Sequence, residues 1–397
     1  MLRKSIVIYY FIMILLYALS IIPACVLLGT IGYRIPYVSI GNYGYELLMR
    51  SSSYIVITLL LLLGRLILYR FYGKPSSILL CVFYGILTAG FTILFLSQYI
   101  TALRYGVSID IGEAIGLKRG EAYVNNVKIS DEVYSVFDGE QRLRIYEPKQ
   151  MRDEKRPILL YIHGGGFISG DRNMWENQLA HFANDNYWVI SMDYSLATKD
   201  KPTWNIVPQQ IEEAVLWINE HVEVYHADVK RFYMIGDSAG AGLALNAANV
   251  LNQNQIKTDE GISKVNAVFA LCPGIDPFQM YDSEYLPIYK NIVYPMVESY
   301  LGEQLRLGKD SIALKTVSAF ESITKASPPT YMLSGDHDHI VSNQLVKRYY
   351  QALCDAGVEA DYKTLPFADH AANTIYRDSI GNQMLYSLSK RWFELHP

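Results

Sequence analysis

The front of the chain is dominated by long apolar runs. Ser5 to Gly29 and Ser77 to Ile100 are each nearly free of polar positions, and Ser53 to Phe71 is apolar around Arg65. Each is long enough, as a helix, to cross a hydrocarbon core of about 30 Å. The pattern predicts an all-α membrane region over residues 1–103 with three spans, at about 5–29, 53–71 and 77–100. Arg3 and Lys4 precede the first run, as in a secretory signal, but the run exceeds the usual apolar length of such a signal and two more follow. Near a helix end Arg65 can snorkel to the interface; at mid-span it costs about 2.5–3.5 kcal/mol.

Beyond residue 104 the pattern changes to short apolar runs alternating with helical ones. Residues 104–130 read as a connector with little period. Glu132–Asp138 and Arg142–Glu147 read as a hairpin turning at Gly139. Pro157–Ile162, Tyr187–Tyr194, Phe232–Ile235, Val265–Leu271, Thr330–Leu333 and Glu359–Leu365 read as further strands. Helical stretches intervene at Asn173–Asn184, Pro208–Val222, after Gly240, at Asn343–Ala356 and at Gln383–Phe393. Such alternation predicts an α/β class: a doubly wound, mostly parallel sheet with helices on both faces. Residues 275–325 break the alternation and are rich in Tyr, Pro and Met. They read as a cap insertion over the edge of the sheet where ligands bind in such folds.

Charge sharpens this division. The first 103 residues hold seven Lys/Arg against Glu46 alone, which leaves −10 of the whole-chain −4 for residues 104–397. No basic patch dominates the acidic part, so nucleic acid is not an expected partner. The four cysteines are spread singly and imply neither a zinc site nor a disulfide framework. An N-terminus inside would put Arg3, Lys4, Arg65, Arg70 and Lys74 in the cytoplasm, and Arg34, Arg50 and Arg104 outside. Three spans then place the domain 104–397 on the extracytoplasmic side.

The candidate chemistry centres on Arg231-Phe-Tyr-Met-Ile-Gly-Asp-Ser-Ala-Gly240. A strand becomes a helix within five residues, and Gly236 and Gly240 relieve a corner where a Cβ would clash. Ser238 sits at its tip, before the free N–H groups of a helix start. Gly-x-Ser-x-Gly alone is weak, arising by accident in roughly one chain of this size in ten. The context strengthens it. A serine hydroxyl needs a base and a hole for the developing oxyanion. His163-Gly-Gly-Gly166 ends a buried strand, where the N–H groups of Gly164 and Gly165, together with Ala239, can form that hole. Of the histidines after Ser238, His370 follows a strand end, whereas His396 is terminal and His337 and His339 flank acids in Ser334-Gly-Asp-His-Asp-His339. That cluster also offers metal-type ligands, but no partner motif accompanies it. Otherwise it supplies the acid that orients the base, and Asp338 is chosen over Asp336 because Ile340-Val341 follows it.

These motifs resemble those of the hormone-sensitive-lipase-like branch of the α/β-hydrolase superfamily over about residues 130–397. The resemblance rests on His163-Gly-Gly-Gly-Phe-Ile-Ser-Gly-Asp171, Asp193-Tyr-Ser-Leu-Ala197, Gly236-Asp-Ser-Ala-Gly240, Asp338 and His370. It implies hydrolysis of carboxylic esters through an acyl-serine, no cofactor or metal, and a cap over the pocket. The chain departs from the family at Ala241, where another glycine is usual, at His339, where proline is common, and in the Ala-Ala pair after His370. The last departure leaves acyl and alcohol preferences open. The family does not account for the three apolar runs.

The expectation is a membrane-anchored serine carboxylesterase acting on short-acyl or acetyl esters, either of small molecules or linked to glycans. A lipid bilayer is its other partner, and its oligomeric state is open. An acyltransferase or amidase with the same triad is the alternative enzyme reading, and a ligand sensor on the same fold is the non-catalytic one. Asp193, Tyr194, Asp237 and His163 are read as supports; His181, His221 and His226 as surface or satisfied helix residues.

Overall fold

Apolar runs with no polar face can only be buried on both sides, and the centre of the sheet is built from such runs. The computed structural model describes residues 2–32, 34–35, 53–72, 76–150, 153–254, 261–262, 264–285, 287–370 and 377–397. Glu46, Arg50, Lys74 and the Ala-Ala pair after His370 lie outside these. The chain divides into two compact units, one of residues 1–120 and 365–384, the other of residues 121–364 and 385–397.

In the second unit, eight strands among the described residues form one sheet: β1 Val127–Ser135, β2 Gln141–Pro148, β3 Arg156–Ile162, β4 Trp188–Met192, β5 Ala227–Asp237, β6 Ala267–Leu271, β7 Thr330–Gly335 and β8 Ala360–Leu365. Their order is β1-β2-β4-β3-β5-β6-β7-β8. β4, β3, β5, β6 and β7 pair in parallel, whereas β1, β2 and β4 pair antiparallel. Every residue of β4, β6 and β7 is buried, as strands covered by helices on both faces require.

The first strand starts five residues earlier than its apolar content predicts. Val136 and Phe137 look like strand residues but are exposed in the turn, where Asp138 and Gly139 take positive φ. The polar stretch Lys128–Asp131 is strand instead, because Asp131 lies opposite Arg144 and holds it through two hydrogen bonds of 2.8 and 3.0 Å. The connector also contains structure, a short helix Ile111–Ala114 whose Asp110 cap accepts the Glu113 N–H. Residues 275–325 contain the helices Pro277–Tyr281, Pro287–Leu301, Gln304–Leu307 and Ile312–Val317.

In the first unit, three helices among the described residues, Leu2–Ile31, Ser53–Tyr72 and Ser76–Arg104, are long and apolar enough to cross a membrane. They share a buried cluster that includes Tyr9, Met13, Leu27, Tyr54, Leu61, Tyr84, Leu87 and Phe91. Val7, Phe11, Ile14, Leu60, Phe71 and Leu79 stay exposed, an arrangement that suits lipid better than water. Gly90 lets the first and third helices close up, since a Cβ there would stand 2.6 Å from Leu27 Cδ2. Arg65 is fully buried and turns inward. Its Nη2 donates to the Tyr9 hydroxyl at 3.3 Å and its guanidinium lies 5.8 Å from that ring. The Tyr9 hydroxyl and its π face are thus the contacts that meet this buried cation.

His181 is sandwiched between Tyr123 and Tyr386, at centroid distances of 3.6 and 3.4 Å. Desolvation there pushes its pKa down from 6.5 to about 4, opposed by Asp185 and aided by Lys390. The unfolded chain therefore takes up this proton first as pH falls, and stability is lost between pH 6.5 and about 4. His181→Leu is expected to lose less melting temperature over that interval than the parent, as measured by thermal unfolding of the full chain in detergent.

Candidate functional site

Ser238 is the residue that joins β5 to the helix Ser238–Asn254, and it takes φ +53°. A non-glycine residue held there costs on the order of 1–3 kcal/mol, which the surroundings must supply. They do so by close packing. A Cβ on Gly240 would stand 2.2 Å from the Ile162 carbonyl and 2.3 Å from that of His163. One on Gly236 would meet the Gly240 carbonyl at 2.7 Å. Within residues 232–246, Ser238 alone is half-buried rather than buried.

Asp237 braces the corner from beneath. Its Oδ1 accepts both the Tyr161 hydroxyl at 2.8 Å and the Gly164 N–H at 3.0 Å. The structure thus brings the glycine loop to the elbow, but it distinguishes the two loop amides named from the sequence. The Gly164 N–H is engaged by Asp237, whereas Gly165 and Gly166 adopt φ +115° and +61°. Sequence reasoning could not foresee this, because it depends on which way a short carboxylate turns under the corner.

His163 and Tyr194 complete the support. The His163 Nδ1 lies 2.7 Å from the Gly164 carbonyl, and its ring stacks on Tyr194. The Tyr194 hydroxyl donates to the His163 carbonyl at 2.8 Å. Burial holds the His163 pKa below 6.5, so the ring is neutral, and the Nδ1–H donates to that carbonyl. Beyond the loop, Arg172 pairs with Asp193 and, at 2.9 Å, with Asp131. Arg144 first, and then Arg172, keep the Asp131 carboxyl well below the usual carboxylate range.

Asp338 lies in the turn after β7, two strands from β5 in the sheet order. Its Oδ1 accepts the N–H groups of Ile340 and Val341, each at 2.8 Å. The apolar pair that singled it out in the sequence is therefore also what fixes the carboxylate. Asp336, by contrast, is exposed. The other histidines of that cluster have local partners: His337 lies 3.8 Å from Asp336, and His339 stacks on Tyr289.

Tyr289 belongs to the helix Pro287–Leu301, a part of the site that the sequence reading did not resolve. Its Tyr300 stacks on Phe167 at 4.0 Å, and its Met296 Sδ stands 2.3 Å from where a Gly166 Cβ would be. One helix of the insertion thus touches both the glycine loop and the acid turn. Only the Tyr/Met content of the stretch hinted at it.

His370 lies five residues beyond the end of β8, in the segment 365–384 of the first unit, and its N–H donates to Asp369 Oδ1 at 2.8 Å. The remaining histidines have structural partners: His221 lies against Trp217, His226 Nε2 is 3.0 Å from the Asp153 carbonyl, and His396 Nδ1 is 2.7 Å from the Trp392 carbonyl.

The BD-FAE family model matches residues 143–353. Esterase LipQ of Mycobacterium tuberculosis is 25% identical over 246 residues, covering 61% of this chain. The chain thus spans only 56% of that relative's length. An acetyl esterase of Salmonella schwarzengrund is 27% identical over 239 residues, 59% of this chain and 69% of the relative. Among solved structures, a bacterial heroin esterase superposes with TM-score 0.60 at 19% identity, covering 76% of this chain and 93% of its own. A hyperthermophilic esterase from Pyrobaculum calidifontis gives 0.56 at 19%, covering 76% and 89%. These likenesses establish the α/β-hydrolase fold.

Because the atoms facing Gly240 are backbone, its replacement cannot be absorbed by a rotamer change. Gly240→Ala is expected to lower the melting temperature of the full chain in detergent by about 5–10 °C. An unchanged melting temperature would mean that the corner is not packed as described.

Proposed function

The chain belongs to the BD-FAE family, and from that membership together with its three long apolar helices we propose that it is a membrane-anchored serine carboxylesterase that cleaves short-acyl or acetyl esters. As an enzyme it is a serine hydrolase acting on carboxylic esters. The finer reading assigns Ser238 as nucleophile, His370 as general base and Asp338 as the group that orients the base. The observation that carries it is the strained, partly exposed Ser238 at the mouth of a parallel sheet, braced by Asp237 against a glycine loop.

In this mechanism His370 takes the Ser238 proton as Oγ attacks the ester carbonyl carbon. The carbonyl oxygen becomes an oxyanion, held by the N–H groups of Gly165 and Ala239. With the Gly164 amide bonded to Asp237, Gly166 takes the third place. Each such donor is worth about 2.7–4 kcal/mol. Collapse expels the alcohol, which receives its proton from His370, and leaves an acyl group on Ser238. Water, deprotonated by His370, then attacks the acyl carbon and releases the acid. Asp338 stabilises the imidazolium in both steps. The helix Pro287–Leu301 serves as the cap, with Met296 and Tyr300 bounding the acyl side.

The names of the relatives favour small acyl groups, and the outward orientation from the charge bias favours esters at the cell surface. Acetylated glycans fit both. Transfer to an acceptor other than water uses the same residues, and product analysis with added alcohols separates the two.

Turnover of a chromogenic acetate by the full chain in detergent is expected to fall at least about 10³-fold in Ser238→Ala. Unchanged turnover in that variant would remove the mechanism. Protease added to intact cells is expected to cleave residues 104–397 and to spare the N-terminus; full protection of that domain would reverse the orientation.

A further inference from the structure

The segment that carries His370 does not pack as an ordinary loop of the hydrolase sheet. Residues 365–384 group with the three apolar helices. Gln98, on the helix Ser76–Arg104, is 5% exposed, and its Nε2 donates to the Pro366 carbonyl at 2.9 Å. Next to it, Phe367 takes φ +59° and packs its ring against the buried helical cluster. Ala368 and Asp369 are then buried, and Asp369 Oδ1 accepts the N–H of His370. The returning chain is tied to the same unit, where the Gly120 N–H donates to Asp378 Oδ2 at 3.0 Å and the Asp110 N–H to Gln383 Oε1 at 2.7 Å.

Two features make this more than incidental packing. A buried amide in an apolar span is costly and is kept where it has a partner. The hydroxyls of Thr88, Thr92 and Thr101 on the same helix bond back to their own helix carbonyls, whereas Gln98 reaches to another segment. Phe367, moreover, holds a backbone conformation that a bulky residue adopts only when its surroundings enforce it. The enforcing groups are the helices. They fix the chain three and four residues before His370.

We propose that Gln98 is a positioning residue for His370, so that the membrane helices set the orientation of the general base as well as anchoring the chain. The proposal rests on the reading of His370 as the base. It gives the apolar region a catalytic consequence: disturbing the helices disturbs the base while the Ser238 corner stays intact.

The test is steady-state kinetics of the full chain in detergent on a chromogenic acetate from pH 5 to 9, with kcat expressed per fluorophosphonate-titrated Ser238. Gln98→Met keeps the shape and removes the donor. It is expected to lower kcat by about 10- to 100-fold with KM changed less than about twofold. The acid limb of kcat/KM is expected to move to lower pH, because a base turned away from its carboxylate holds its proton less tightly. Gln98→Asn, which keeps an amide, is expected to recover part of the loss. Ile93→Ala, on the exposed face of the same helix, is expected to match the parent. If Gln98→Met does not fold, Phe367→Leu carries the same test through the other contact. A folded Gln98→Met or Phe367→Leu with parental kcat and acid limb would overturn the proposal, as would lower stability with unchanged kcat per titrated serine. Parental protein without Ser238-dependent turnover would instead remove the esterase reading, and this proposal with it.

Discussion

The fold's chemistry depends on one backbone corner. Ser238 is held at positive φ between a buried strand and a helix, and nothing in its own side chain favours that conformation. The corner persists because Gly236 and Gly240 allow the helix to sit against the ends of β3 and β5 at distances that exclude a Cβ. Asp237 then closes the space beneath by accepting from Tyr161 and Gly164. The glycine loop, the strand β3 that delivers it and the elbow are therefore one packed object. A change in any of them moves Ser238.

Outward from that corner, the supports form a chain of local compensations. The neutral His163 orders the glycine loop, and Tyr194 holds His163. The Arg172, Asp193 and Asp131 group then ties the end of β4 to the edge hairpin. The acid turn is fixed differently, by two backbone N–H groups on one carboxylate oxygen. The helix Pro287–Leu301 touches both the glycine loop and the acid turn, so a single element of the insertion senses two parts of the site.

Much of this was legible in the sequence, for identifiable reasons. Buried parallel strands declare themselves as unbroken apolar runs, which is why the expected β3, β6 and β7 lie close to the observed ones, whereas β5 begins five residues before its apolar run, at Ala227. The hairpin was displaced because Val136 and Phe137 have strand-like side chains but lie in the turn, while charged residues pair across the edge. Ser238 was legible because its two glycines have no other use in an apolar run. The engagement of Gly164 by Asp237 was not, since it is a matter of side-chain direction. Nor were the inward turn of Arg65 toward Tyr9 and the reach of Gln98 to Pro366. Both join residues far apart in the chain, and a polar residue in an apolar run does not say which neighbour it serves.

The central claim is that the Ser238 hydroxyl carries the acyl group. The most direct measurement is rapid acid quenching of the full chain during turnover of a slowly deacylated ester, followed by intact mass and peptide mapping. The account predicts a mass increase of one acyl group, located on the peptide containing Ser238, that forms before the steady state and decays when substrate is exhausted. Continued turnover with no adduct on that peptide, or with the acyl group on a different residue, would contradict it.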